Sequence, residues 1–233
     1  MKRKILLAVV LLVSLLTQIA LADVVVSDFN GYLVEIDNHL QPWIFYEITN
    51  NGSEAVKISS DSEVIVIDPA GNTIGSDTIF FSPNLLVPGE KAYGHMAFHW
   101  NDDTITSMDQ VDDFHLNIKT EDILFDETIT YYEPASTKFK AKDSLFGGMS
   151  ITQEVVYKNE TGELQSVPEA IFILRDESGK IVHTSREYPP AAIESGKSYT
   201  IKGYVADAVR KFFKKYDFKP ASMEVILYEI EIG

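Results

Sequence analysis

Phe172-Ile-Leu-Arg-Asp-Glu-Ser-Gly-Lys-Ile-Val182 decides the fold, because it reads as a strand, a tight D-x-x-G turn and a second strand. The stretch Val64-Ile-Val-Ile-Asp-Pro-Ala-Gly-Asn-Thr-Ile74, which lies 108 residues earlier, has the same pattern. In each turn the aspartate can accept a backbone hydrogen bond and the glycine can adopt a positive φ. The pattern therefore predicts two equivalent hairpins with the turn residues Asp68, Gly71, Asp176 and Gly179.

The sequence on either side of these hairpins repeats as well. Trp43–Gly52 and Ser150–Asn159 both alternate like strands and run into a turn rich in asparagine. Tight turns follow at Pro88-Gly89 and at Gly196, each leading into another alternating segment. The repeat predicts an all-β chain of two tandem immunoglobulin-like antiparallel β-sandwiches. We expect the first domain over 23–133, a linker over 134–143 and the second domain over 144–233.

Each half is also expected to contain a short helix that crosses between strands. Apolar residues recur at helical spacing over Val205–Tyr216, whereas Asp103–Val111 has a weaker version of the pattern. We expect the stripe of the longer segment to pack on the second sheet, with its basic residues in solvent. The stripe consists of Val205, Val209, Phe212, Phe213 and Tyr216.

Phe172-Ile-Leu-Arg-Asp176 resembles the F-x-L-Y-D signature of FxLYD domains, which are small secreted β-sandwich repeats. In that family the signature follows an Asn-Gly-type turn and precedes a Pro-Gly-Glu turn, and this arrangement matches most of residues 144–204. Two positions depart from the family, because Arg175 replaces its tyrosine and the first repeat reads Val-x-Val-x-Asp up to Asp68. The resemblance implies a tandem repeat of this fold and an exported location. It implies no reaction, since the family has no established catalytic residues.

A second resemblance concerns only the first domain. Leu85-Leu-Val-Pro-Gly-Glu90 is followed by an aromatic strand that ends at Trp100. This arrangement resembles the core of BsuPI-type proteinase inhibitor domains, which are also β-sandwiches. It implies proteinase inhibition as an alternative function.

The first 22 residues have the pattern of a signal peptide. A basic start at Lys2-Arg3-Lys4 precedes an apolar run over Ile5–Leu16, and Ala20-Leu21-Ala22 supplies a cleavage pattern. The alternative is an uncleaved anchor, but the run is shorter than the roughly 20 residues that span a bilayer. We therefore expect cleavage before Asp23 and a periplasmic, cell-surface or secreted protein. No later stretch of the sequence is long and apolar enough to span a membrane.

Composition narrows the possible partners. The chain has no cysteine, so it carries neither disulfides nor the lipid-bearing cysteine of a bacterial lipoprotein. Its net charge is −15, and cleavage of the leader with its three basic residues takes the charge to −18. Such a surface repels phosphate backbones, so nucleic acid is not expected as a partner. A hydrophobic content of 45% indicates a globular protein.

The motifs of catalysis do not occur in the sequence. It has no thiol, no G-x-S-x-G elbow and no Gly-rich phosphate loop. His95 and His99 form an H-x-x-x-H pair, which binds zinc on a helix. On a strand, however, positions four apart are separated by roughly 13 Å, too far for two ligands of one zinc ion. We therefore expect no cofactor.

Calcium is the metal that the acidic residues would suit best. Aspartates cluster between Asn101 and Asp113, but the D-x-D-x-D-G spacing of a calcium loop is missing. The alternative is a helix cap with a solvated acidic face. The candidate ligands are Asp102, Asp103, Asp109, Asp112 and Asp113. Two N-glycosylation sequons begin at Asn51 and Asn159, and we interpret both asparagines as turn residues.

The sequence leaves three functional hypotheses. The first is an exported, non-enzymatic binding or structural module whose partner is a protein or a glycan. The second is a proteinase inhibitor, and the third is a hydrolase whose carboxylates or histidines converge only in three dimensions.

Overall fold

The protein is described here by a computed structural model that covers residues 24–36, 39–97, 108–123, 126–144 and 147–232. Over these residues the chain is almost entirely β-structure in antiparallel sheets, which confirms the predicted all-β, sandwich-like fold. The predicted signal peptide and its expected cleavage site lie outside the described residues. None of the helices in these ranges has the length and apolarity needed to cross a lipid bilayer.

The described residues of the first half form three small sheets. Their strand orders are β1-β2-β8-β6, β5-β4-β9 and β10-β3-β7. The strands are β1 (Val24–Ile36), β2 (His39–Asn50), β3 (Val56–Ile58), β4 (Glu63–Ile67), β5 (Thr73–Thr78), β6 (Phe80–Ser82), β7 (Leu85–Leu86), β8 (Lys91–Ala97), β9 (Asp113–Asn117) and β10 (Thr120–Glu121).

The second half has a similar arrangement, with one three-stranded, one four-stranded and one two-stranded sheet among its described residues. Its strand orders are β12-β13-β18, β11-β19-β15-β16 and β14-β17. The strands are β11 (Glu127–Tyr132), β12 (Ser136–Asp143), β13 (Met149–Lys158), β14 (Gln165–Ser166), β15 (Glu169–Arg175), β16 (Ile181–Glu187), β17 (Ala192–Ile193), β18 (Ser198–Lys202) and β19 (Ser222–Ile232). One α-helix, α1 (Asp207–Lys215), precedes the last strand.

The two predicted D-x-x-G hairpins occupy equivalent places in this topology. One joins β4 to β5 and the other joins β15 to β16. The backbone N–H of Gly71 donates to Asp68 at 2.9 Å, and that of Gly179 donates to Asp176 at 3.0 Å. Both glycines have a positive φ, of 82° and 85°, as do Gly89 and Gly196 in the tight turns.

Buried apolar residues form three clusters. The first contains only residues of the first half, among them Ile44 and Tyr46, and the third contains only residues of the second half, such as Phe172. The second cluster is mixed, because Tyr32 and Phe45 pack there with side chains of β15, β16 and α1. Each half therefore has an apolar cluster of its own, and the two halves share a further one.

Helix α1 forms where the apolar stripe predicted it. It ends in a Schellman motif, in which the N–H of Phe218 donates to Phe213 at 2.7 Å and Asp217 has a φ of 53°. Phe213 is buried, and Phe212 stacks on Tyr32 of the first half with ring centroids 4.6 Å apart. The helix thus packs on both halves, which the sequence pattern did not predict.

One residue of the stripe was predicted wrongly. Tyr216 is 60% exposed, because it follows the last residue of α1 and the stripe turns away from the core there. The predicted helix of the first half falls mostly outside the described residues, and its end forms a short 3₁₀ turn over Met108–Gln110.

The stretch predicted as a linker contains a strand. Residues 134–143 contain β12, which pairs with β13 along its whole length. Strand β11, from the stretch assigned to the first domain, pairs with β19 of the second half. The division into two domains at 133 and 144 stays a prediction.

Candidate functional site

Arg175 lies at the centre of a cluster of charges between the two halves. It is the last residue of β15, and only 17% of its side chain is exposed. One terminal nitrogen, Nη1, lies 3.1 Å from Asp28 Oδ2. The other, Nη2, binds Glu47 and lies 3.5 Å from Glu224 Oε2. The arginine therefore joins β15 to two strands of the first half and to its neighbour β19.

Glu47 is the most buried member of this cluster, with 4% of its side chain exposed. Lys91 Nζ lies 2.8 Å from its Oε1, and the hydroxyl of Ser27 donates to the same oxygen at 2.8 Å. Burial acts to raise the pKa of Glu47, but the hydrogen bonds from Lys91, Arg175 and Ser27 outweigh it and hold the pKa below its ordinary value. Glu47 is therefore an anion at neutral pH.

The cluster continues into backbone contacts between β1 and β16. Asp28 Oδ2 accepts the N–H of Ile181 at 2.8 Å, and the amide of Asn30 donates to the carbonyl of Ile181 at the same distance. The hydroxyl of Tyr32 donates to the carbonyl of Val182 at 3.0 Å. These contacts hold the second hairpin against the first half.

An open polar cavity of about 540 Å³ surrounds Arg175. Its charged residues balance, with three cations facing three carboxylates. They are Lys91, Arg175, Lys180, Asp28, Glu47 and Glu224. Hydrolysis by a carboxylate pair requires one carboxyl with a raised pKa, whereas the pKa of Glu47 is lowered. The arrangement is suited to holding ion pairs rather than to proton transfer.

A smaller groove of about 260 Å³ lies between β15, β19 and the segment after β16. Its carboxylates also have partners within the protein, because Arg186 Nη2 binds Glu169 at 2.8 Å and the hydroxyl of Tyr132 donates to Glu229 at 2.9 Å. The guanidinium of Arg186 lies 4.0 Å from the ring centre of Tyr188.

Glu187 is a carboxylate whose pKa is raised. Burial raises the pKa, and the hydrogen bond from the backbone N–H of Tyr204 offsets this only in part. Glu187 lines neither of the two cavities.

The calcium hypothesis gains no support from the residues that the structure covers. Asp102 and Asp103 lie outside them. Asp113 Oδ2 lies 3.3 Å from His115 Nε2, and its Oδ1 accepts the N–H of Phe114. Asp109 and Asp112 complete the candidate set, yet the covered ranges contain no group of three or more side chains able to hold a metal ion.

The histidine pair falls partly outside the described residues. The backbone of His95 lies in β8, in agreement with the predicted strand, but its side chain and the whole of His99 are not described.

The sequon asparagines have different environments. Asn159 is completely buried, and its amide donates to the carbonyls of Glu163 and Ile193. It is therefore a turn residue, closed to glycosylation while the protein is folded. Asn51 is exposed and follows the equivalent buried residue, Asn50.

Sequence reasoning missed the Arg175 cluster. Its members come from β1, β2, β8, β15 and β19 and are spread over residues 28–224, so no local sequence motif identifies them. One signal was available. Arg175 is the position at which the sequence departs from the F-x-L-Y-D signature, and the structure shows that this arginine contacts the other half of the chain.

No model of a known protein family matches the chain, and a search of curated protein sequences gives no match either. The likeness to FxLYD domains and to BsuPI-type inhibitors therefore rests on the quoted residues alone.

Proposed function

We propose that the chain is an exported, non-enzymatic binding or structural module built from two tandem β-sandwich domains. The proposal joins the leader-like N-terminus to the repeated sheet topology of the described residues. Sheet edges and end loops make the contacts of many extracellular β-sandwich domains, and an open sheet face is a further surface available to a partner.

The observation that carries the proposal is that the charged side chains in the larger cavity pair with one another. Glu47 is neutralised by Arg175 and Lys91, and these ion pairs join strands that lie far apart in the sequence. General acid–base catalysis needs ionisable groups that are free to exchange protons with a substrate. Here the buried carboxylate is held as an anion and serves to connect the two halves.

The test is to present the purified mature chain to arrays of glycans and of peptides, and to recover the bound compounds for mass spectrometry. We expect at least one class of ligand to bind and to be recovered with its mass unchanged. The variant Glu47→Gln should be less stable and yet bind that ligand as tightly as the wild type, at a temperature where both are folded. Time-dependent conversion of a compound that Glu47→Gln abolishes would show that the cavity is an active site.

Stoichiometric inhibition of a proteinase by the chain, in the absence of glycan or peptide-array binding, would instead support the inhibitor hypothesis.

Export is tested separately. Mass spectrometry of the protein from its native host should find a chain that begins at Asp23, and a cytoplasmic chain that still carries Met1 would contradict export.

A further inference from the structure

The sheet β12-β13-β18 presents one face to solvent, and that face is strongly basic. Side chains alternate between the two faces of a strand, and residues paired directly across strands share a face. The register pairs Lys138 with Glu154, and Glu154 with Lys202, so these three residues form a row across the sheet. We call the surface that contains them the basic face; its charged residues are Lys138, Lys140, Lys142, Lys158, Lys202 and Glu154.

Two of the five lysines on this face form ion pairs within the protein. Lys138 binds Glu154 at 2.7 Å, and Lys158 binds Glu160 at 2.8 Å. Lys140, Lys142 and Lys202 are exposed, and none of them forms an ion pair with another described residue. The chain as a whole has 35 acidic residues and a net charge of −15. A concentration of unpaired cations on such a chain points to an anionic partner.

The equivalent face in the first half differs from the basic face because it is covered by other parts of the protein. There, Phe45 and Tyr93 belong to the apolar cluster shared with the second half, and Glu47 binds Arg175. That face is covered by the second half of the chain. By the same register, the basic face has Glu154 and Thr200 at the positions of Phe45 and Tyr93, and Lys140 at the position of Tyr32, and it stays open to solvent.

Protection of a sheet edge does not account for the whole basic face. Lysines on an edge strand discourage edge-to-edge aggregation, and this explains those on β12. Lys202 lies on β18, the opposite edge of this three-stranded sheet, whereas Lys158 lies on the central strand β13. The positive charge therefore extends over the sheet rather than along one edge.

The chemistry of the basic face selects among anionic polymers. All of its residues are described, and none is aromatic, so it lacks the stacking platform that single-stranded nucleic acids require. It also lacks the large apolar side chains with which a protein enters a membrane interface. Same-face lysines on β12 stand about 7 Å apart in a straight row, beside serine and threonine hydroxyls that can bind sugar hydroxyls.

We propose that the basic face binds a linear anionic polysaccharide that carries carboxylate or sulfate groups. The proposal rests on the proposed function, since it names the partner chemistry of the binding module. Lysine ammonium groups bind the anionic groups as point charges, and the neighbouring hydroxyls bind the sugar.

The test measures binding of the mature chain to polygalacturonate and to heparin, with uncharged dextran and phosphatidylglycerol vesicles as comparisons. The decisive variant replaces Lys138, Lys140, Lys142 and Lys202 with glutamine. A control with the same change in net charge replaces four exposed lysines elsewhere, Lys119, Lys211, Lys215 and Lys219. Binding to at least one of the two polysaccharides should weaken about tenfold or more in the first variant and remain near the wild-type value in the control. Added salt should weaken wild-type binding more steeply than any residual binding of the first variant.

Several outcomes would overturn the proposal. These are no binding to either polysaccharide, equal losses in the two variants, or binding to the vesicles alone. If the fourfold variant does not fold, the pair Lys140→Glu and Lys142→Glu replaces it, because both side chains are exposed and unpaired with described residues. The chain length of the polysaccharide, measured after incubation with the protein, tests the non-enzymatic function separately from binding by the basic face. Shortened chains would refute the non-enzymatic function while leaving the binding face in place.

Discussion

The side chain of Asn159 makes the same contacts in the second half of the protein that Asn50 makes in the first. Each amide donates to two carbonyls, at 2.7 and 2.9 Å for Asn159 and at 2.8 and 3.0 Å for Asn50. Each side-chain oxygen accepts the N–H of the residue two positions later, at 2.9 Å in both cases. Both residues are completely buried. Each asparagine side chain therefore supplies hydrogen bonds to backbone groups of its turn that would otherwise need water as a partner.

Replacement of either asparagine with alanine should therefore destabilise the protein. Asn159→Ala leaves buried carbonyls without a donor, and we expect a loss of about 2 kcal/mol in the free energy of unfolding. Asn50→Ala should cost a similar amount, whereas Asn51→Ala at the exposed neighbouring position should change little. Urea denaturation of the three variants measures this. Equal stabilities for Asn51→Ala and Asn50→Ala would contradict the assigned role.

Loss of the central arginine should cost more than loss of a surface cation. Arg175→Gln removes a buried partner of Glu47, and we expect a loss of about 3 kcal/mol in the free energy of unfolding. The control Lys211→Gln breaks an exposed pair with Asp207 and should cost less than about 0.5 kcal/mol. Combination with Glu47→Gln in a double-mutant cycle should reveal strong coupling between the two sites. Additive losses would show that Arg175 does not act through Glu47.

The lowered pKa of Glu47 predicts how stability depends on pH. A carboxyl that binds its proton more weakly in the folded state stabilises the fold above its ordinary pKa of 4.5, and this contribution is lost as the pH falls through the folded value. The difference in stability between the wild type and Glu47→Gln should therefore be largest near neutral pH and shrink below about pH 4.5. Denaturation curves at several pH values measure it, with the exposed substitution Glu231→Gln as the control. A difference independent of pH would contradict the pKa direction.

Gly203 lies against an aromatic ring that cannot move away. A Cβ atom at this position would come within 2.7 Å of Cγ of Phe172, which is completely buried. Gly203→Ala should therefore reduce the free energy of unfolding by about 2 kcal/mol through overpacking. Gly31→Ala is the control, since a Cβ there meets its nearest atom at 3.5 Å. Thermal denaturation distinguishes the two variants, and equal melting temperatures would exclude the steric account.

The C-terminal end of α1 offers a stabilising substitution. Asp217 has a left-handed backbone, with a φ of 53°, and its negative charge lies at the negative end of the helix dipole. Asp217→Gly should raise the free energy of unfolding by up to about 1 kcal/mol. Asp217→Ala removes the charge without relieving the backbone, so it should gain less. If alanine stabilises the protein as much as glycine, the backbone is not the cause.

Local turn chemistry made the fold predictable from the sequence. The aspartate and glycine of each D-x-x-G hairpin lie only three residues apart, so the sequence itself predicts their contact. The same holds for Asn159 and the turn that follows it. Helix α1 was predictable for the same reason, because its apolar stripe is continuous. Tyr216 was misjudged because helical spacing continues in the sequence beyond the residue at which the helix ends.

The interactions that join distant segments were not predictable in this way. Arg175 and Asp28 are separated by 147 residues, and nothing near either residue identifies the other. The basic face illustrates the same limit. The alternating lysines of β12 are visible in the sequence, but Lys202 joins them only through the register of β13 and β18.

The pairing of β11 with β19 has a consequence for how the protein is made. The partners of Glu127–Tyr132 are residues 227–232, which follow 95 to 105 residues later in the sequence. Until these later residues are available, β11 lacks the strand with which it pairs. Formation of this sheet therefore requires a long-range contact, and a variant without residues 227–232 would leave a strand from the middle of the sequence unpaired.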